Sequence, residues 1–270
     1  MRHFLPFLWF WLLLPVGGWG QPSEHWDVTF YDLEVQVHAG NQRVAGTQRL
    51  DFLVHRPIAT IYLGLGQGLQ VARLQLDGVP VTYEREGDSL KVNFGRRLPA
   101  GQRYQLEIVY GGAPPIPAGM DAAIWGRGPR GDDLVALEPA YLPGHHWWPS
   151  KADPQDLADS MRVAVICRQG PEVVIPGALL GREPRPGGFV RWAFSLPRPV
   201  GPEGLSLHIG PYVRLHTPMP EGPAMTLWAL RGHEGPARQL QLQLQRLLPD
   251  LESYWGAAPM AQQPLRWVET

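Results

Sequence analysis

Cysteine is nearly absent from this sequence: Cys167 stands alone among 270 residues. No intrachain disulfide can form, so packing and hydrogen bonds must hold the fold. The surrounding stretch, MRVAVICRQG, alternates apolar and polar residues as a strand does. A lone cysteine there reads as a small core hydrophobe rather than a reactive thiol. Lysine is almost as scarce, at Lys91 and Lys151 only, so nearly all positive charge is arginine. Runs of like charge are missing and the formal net charge is −1. This excludes the basic stripe that neutralises a phosphate backbone, and no nucleic-acid partner is expected. Internal repeats are missing too, which excludes a solenoid or propeller.

Long hydrophobic runs are also lacking. The one extended apolar stretch, Phe4 to Leu14, is about half of the roughly 20 residues that a spanning helix needs. It follows a basic start (Arg2) and precedes small residues at Gly18 and Gly20. Charged head, short apolar middle and small-x-small exit form the pattern of a cleaved secretory signal. The reading is a signal peptide at 1–20, cleaved after Gly20, and a secreted or periplasmic mature chain. The alternative is an uncleaved N-terminal anchor; no stable membrane span is expected.

What the sequence has in abundance is alternation. Hydrophobic residues make up 44% and charged residues 18%, enough apolar surface for a sizeable core and too little charge for wholesale disorder. From Trp26 onward, DVTFYDLEVQVHAG, RVAGTQRLDFLVH, ATIYLGL, LQVARLQLDGVPVTYERE, SLKVNFG and RYQLEIVYGG alternate apolar with polar residues between turn signals. Asp77-Gly78 predicts a tight turn between strands. The Pro/Gly-rich stretch GGAPPIPAGMDAAIWGRGPRGDD predicts mostly loop. Further strands follow in MRVAVICR, EVVIPGALLG, GFVRWAFSLP, GLSLHIGPYVRLH and MTLWALRG. The expected fold is mainly β: a multi-stranded antiparallel sheet or sandwich. Near the end, Leu240, Leu244, Leu247, Leu248, Leu251 and Tyr254 fit one face of a helix over about 237–255, with Pro249 kinking or breaking it and Gly256 as its cap. Little remaining chain is left to bury that apolar stripe, which includes Trp255.

Three stretches invite chemistry, and each falls short of it. GLGQGL (64–69) has leucine where the dinucleotide fingerprint needs a third glycine, and a strand pattern follows instead of a helix. It reads as a turn. HEGPA (233–237) resembles half of a zinc-peptidase helix, but alanine occupies the position of the second histidine and Pro236 precedes it. HHWWPSKADPQD (145–156) holds two histidines and two acids, with Asp159 just beyond. On a strand, adjacent His145 and His146 would point to opposite faces and could not share a metal. Asp153, Asp156 and Asp159, three apart, suit the first turn of a helix. Ser150, Ser160 and Ser195 lack the glycines of a nucleophile elbow. No catalytic and no metal-ligating residue is expected in these 270 residues.

Taken together, WWPSKADPQDLADSMRVAV resembles a landmark of the aminopeptidase N-type zinc metallopeptidases: tryptophan, proline, an Asp-rich loop with a second proline, then a strand. FYDLEVQV through TIYLGLGQGLQVARLQLDGVPV is similar to that family's opening strands. EVVIPGALLG, VRWAFSLPRPVGPEGLSLHIGPYVRL and LPDLESYWGAAP follow in the family's order, so the resemblance spans about 26–270. It implies a saddle-shaped N-terminal β domain at 21–215 and the first strand and helix of a thermolysin-like domain at 216–270. In the family, a Gly-x-Met-Glu-Asn motif and an HExxH zinc helix follow; neither occurs in this sequence. Zinc is expected only in that catalytic domain, so no peptidase activity is expected of this chain alone. The resemblance also implies that Glu138, in VALEPAYLP, would grip the free α-amino group of a peptide. The implied partner is a separately encoded catalytic domain, with peptides bound only in that context. A stand-alone secreted β binding module is the alternative, and one half of a split metallo-aminopeptidase a further form of the first reading.

Overall fold

The computed structural model describes residues 23–115, 123–128, 130–138, 144–151, 153, 155–197, 201–218, 224–256 and 265–270. The signal reading at 1–20 lies outside them. No helix among the described residues is long and apolar enough to cross a membrane.

The main sheet has eight strands, in spatial order Ala178–Arg185, Phe189–Leu196, Ser160–Arg168, Trp26–His38, Arg43–Val54, Arg103–Gly112, Leu69–Leu76 and Val79–Pro80. Every pairing is antiparallel except the central one, where Trp26–His38 runs parallel to Ser160–Arg168. The long first strand shows how alternation becomes a buried face. Trp26 and Val28 are buried at even positions, then Tyr31, Leu33, Val35 and Val37 at odd ones. A bulge between Val28 and Phe30 inserts one residue and flips the phase, so both halves face the same core. The hairpin at Asp77-Gly78 has both residues at positive φ (48° and 78°), as a two-residue turn requires.

Two smaller sheets close the same core. One comprises Ile58–Gly64, Ser89–Leu98 and Thr82–Glu86; the other has the order Glu172–Val174, Leu207–Gly210, Asp133–Leu137 and Ala123–Arg127. Ala123–Arg127 lies in the stretch expected to be loop. Its Pro/Gly content hid a short strand that pairs register for register with Asp133–Leu137 across the Gly128–Gly131 turn. Cys167 is buried, and burial together with nearby Asp133 pushes its thiol up to about 12, in keeping with a core role.

The chain ends differently. Tyr212–Thr217, Met225–Leu230 and Leu265–Val268 form a separate three-stranded sheet, and the helix Glu234–Trp255 packs on it. The helix begins three residues before the expected start, with Glu234 accepting from the Gly232 N–H at 2.8 Å, and it runs through Pro249 without breaking. Leu215, Leu227, Ala229 and Ala237 form a second core cluster, backed by Val213 and Trp267. The helix turns Ala237 and Gln241 inward, and the Gln241 side-chain amide donates to the Leu215 carbonyl at 3.0 Å. Four of its leucines do the opposite: Leu240, Leu242, Leu247 and Leu251 are all more than 40% exposed, while Leu244 and Leu248 are half-buried.

Candidate functional site

Glu138 follows directly on Asp133–Leu137, where the strand leaves the four-stranded sheet. Its neighbour strand, Leu207–Gly210, sets His208 opposite Ala136, so the sheet itself brings histidine and glutamate to one end. His208 Nε2 lies 3.2 Å from Glu138 Oε1. The imidazole is buried, and that burial depresses its pKa to about 4. At neutral pH the ring is therefore neutral, and the contact is a close approach of imidazole to carboxylate rather than a charged pair. Its other nitrogen, Nδ1, is buried without a hydrogen-bond partner.

Glu138 is half-buried, and desolvation raises its pKa. Tyr212 stands within electrostatic reach: burial, then Glu269, then Glu138 all raise its phenol, which has no hydrogen-bond partner. Glu269 accepts from the Leu230 N–H at 2.7 Å and from His233 Nδ1 at 2.5 Å. This pairing raises the pKa of His233, which is fully exposed. Two carboxylates, Glu138 beside His208 and Glu269 held by His233 and the Leu230 N–H, thus act on one buried phenol. Among the described residues no lysine or arginine pairs with Glu138, so its carboxylate could accept a ligand ammonium. His208 escaped sequence reasoning because its link to Glu138 runs through strand pairing and leaves no spacing signal.

The residues of HEGPA do not fit the zinc of a metallopeptidase. His233 precedes the helix and is engaged with Glu269, and Ala237 is buried against the sheet where a second ligand would be needed.

HHWWPSKADPQD divides into two parts. Trp147 and Trp148 are core residues; Trp148 stacks edge-on against Tyr31 at 5.1 Å, and the Tyr110 hydroxyl donates to the Trp147 carbonyl at 3.2 Å. Lys151 is buried. Its ammonium pairs with Asp156, donates to the Trp26 carbonyl at 2.6 Å and lies 4.4 Å from the centre of the Trp26 ring. Asp156 therefore corrects the expectation of a solvated first-turn acid: no helix forms here, and its carboxylate neutralises a buried lysine. The histidines bring a second correction. They sit in a 3₁₀ turn, Gly144–His146, and not on a strand. The tighter turn leaves their rings stacked, 4.9 Å apart and 25° from parallel.

No family model matches the sequence, and no curated protein matches it. Among solved structures, the fold is similar to a two-domain M1 zinc metallopeptidase mutant bound to L-arginine (TM-score 0.68, 21% identity). It is equally similar to such a mutant bound to L-tryptophan (0.69, 22%) and to an M1 zinc metallopeptidase mutant from Deinococcus radiodurans bound to a Tyr-Ser-Ala substrate (0.67, 22%). Each match covers 90% of this chain and 56% of the other, so this chain spans little more than half the length of these neighbours. At this identity the likeness defines the fold. It agrees with the family resemblance carried by WWPSKADPQD and the strands around it.

Proposed function

We propose that this chain is the β part of a secreted zinc aminopeptidase of the M1 type, flanking a peptide site whose zinc is held by residues outside the chain. One observation carries the reading: the fold matches M1 zinc metallopeptidases over 90% of this chain, yet the described residues hold no HExxH ligand set. The chain has no peptidase activity by itself. Glu138 is the residue that takes the peptide's α-ammonium, with the neutral His208 ring beside its carboxylate. That role needs only an anionic acceptor at a half-buried position, where a charge-assisted hydrogen bond is stronger than in open water. The side of the helix Glu234–Trp255 that exposes Leu240, Leu242, Leu247 and Leu251 is the surface on which the catalytic part packs. An exposed apolar strip of this kind marks a missing partner.

The test assays the purified chain against aminoacyl chromogenic amides with added zinc, alone and then mixed with an HExxH-bearing fragment from the same source. The expected result is no turnover alone and chelator-sensitive turnover in the mixture. In that mixture Glu138→Ala should raise KM at least tenfold, and Glu138→Gln less. Robust chelator-sensitive turnover by the chain alone would overturn the reading. A chain that stays intact beyond residue 215 under limited proteolysis and binds no such fragment would instead be a stand-alone module.

A further inference from the structure

The GLGQGL run and the adjacent histidines, far apart in the sequence, meet at the end of the strand Ile58–Gly64. Three successive amides of that loop hold two other segments in alternation. Leu65 N–H donates to the Asp88 carbonyl (2.7 Å), Gly66 N–H to the His145 carbonyl (2.8 Å) and Gln67 N–H to Asp88 Oδ1 (2.8 Å). From the other side, the Arg85 guanidinium donates to the carbonyls of Leu65 (2.7 Å) and Leu69 (2.6 Å). Gly64 is bridged to Ser150 in both directions, and a Cβ there would lie 2.6 Å from the Cβ and Cγ of His145. Only glycine lets the imidazole lie this close to the strand end. The glycines thus have a local role that does not involve nucleotides.

This frame places one ligand atom each from Asp88, His145 and His146 within 4.8 Å of one another. All three side chains are partly buried, and His146 Nδ1 is shut off from solvent without a hydrogen-bond partner. A buried polar atom left unmatched calls for an explanation, and an ion is one.

We propose that Asp88, His145 and His146 bind one divalent transition-metal ion of the zinc class, with the remaining coordination position open to water. Two imidazoles and one carboxylate suit zinc, nickel or copper and disfavour calcium and magnesium, which take oxygen ligands. Bonds of about 2.0–2.2 Å require ligand atoms roughly 3.5 Å apart in a tetrahedron. Ligand atoms within 4.8 Å of one another are at most about 1.3 Å beyond that spacing, a gap for side-chain torsions to close while the backbone stays pinned. The ion would cross-link the turn at Gly87-Asp88 and the Gly144–His146 turn, both already tied to the 64–67 loop by its amides.

The experiment strips the full chain with chelator, then titrates Zn²⁺ against a chromophoric competitor and Co²⁺ by visible absorption. One equivalent is expected, with a cobalt spectrum of low coordination number. Asp88→Asn, His145→Ala and His146→Gln should each weaken binding at least tenfold. Gly64→Ala, which removes no ligand, should weaken it too by displacing the His145 ring. Zinc should raise the Tm of the wild type and of exposed His55→Ala, but not of the ligand variants. Folding of each variant is checked by its zinc-free melting curve, and Asp88→Asn, an isosteric change, serves if a histidine variant does not fold. Stoichiometric binding that survives both Asp88→Asn and His146→Gln, or no saturation at one equivalent in micromolar zinc, would overturn the proposal.

Discussion

The main β body and the C-terminal sheet with its helix solve the problem of burial differently. In the body, three sheets share one continuous core in which Leu33, Val35, Leu50, Phe52, Leu63, Leu106 and Trp148 are completely covered. In the C-terminal unit, four buried residues form the whole second cluster, and the helix shows its leucines to solvent. Both units come from strongly patterned sequence. The difference lies in how much partner surface each pattern finds within the chain. A well-formed amphipathic helix is thus compatible with a poorly buried one.

The sharpest way to break the comparison is to attack the body at its buried charge. Lys151→Ala leaves Asp156 in the core without its ammonium and should cost about 3–5 kcal/mol, read as a drop in the denaturation midpoint of the whole chain. The double change with Asp156→Leu should recover most of the loss, because an apolar pair removes the orphaned charge.

Acid should reach the body next, through His208. The unfolded chain binds the proton near pH 6.5, the folded one only near 4, so the folded state is favoured above 6.5 and loses that advantage as pH falls from about 6.5 to about 4. The shift corresponds to about 3 kcal/mol at most. Glu138, whose pKa is raised, works the other way and reduces the loss. Urea midpoints across this range should fall in the wild type and flatten in His208→Leu.

Leu227→Ala should separate the two units. The side chain is 3% exposed in the small cluster, and its truncation should cost about 2–4 kcal/mol locally. Hydrogen exchange should then speed up in Met225–Leu230 and Glu234–Trp255 while Trp26–His38 keeps its protection. Uniform acceleration throughout would mean the two units unfold as one. The smallest effect belongs to Leu242→Glu with Leu247→Glu. Both side chains are at least half exposed, so stability should move by no more than about 0.5 kcal/mol each. Capture of a catalytic fragment, where it occurs, should weaken at least tenfold.

Most strands were legible because half-buried sheets write themselves as alternation, and Asp77-Gly78 named its own turn. The bulge after Val28 was not legible, since it shows only as a change of phase that a sliding pattern absorbs. Ala123–Arg127 was hidden for the opposite reason: its flanking glycines and prolines outweigh a five-residue strand whose stability comes from its partner. Glu138 could be singled out through resemblance, but His208 beside it could not, because strand pairing brings together residues with no local relation. The adjacent histidines were misread through a premise about backbone. On a strand they diverge; in a 3₁₀ turn they stack, and Asp88 joins them from a turn more than fifty residues away.

The parallel pairing at the centre of the main sheet has a consequence for the order of synthesis. As the chain emerges, Trp26–His38 meets its antiparallel neighbour Arg43–Val54 at once, across a short connection. Its other edge has no partner until Ser160–Arg168 leaves the ribosome, and the sheet is not finished until Phe189–Leu196 follows. For more than a hundred residues of translation the longest strand therefore exposes a row of open backbone donors and acceptors, a template for wrong pairing. A nascent chain of this design spends much of its synthesis with its central seam open, which makes it a natural client for holding chaperones.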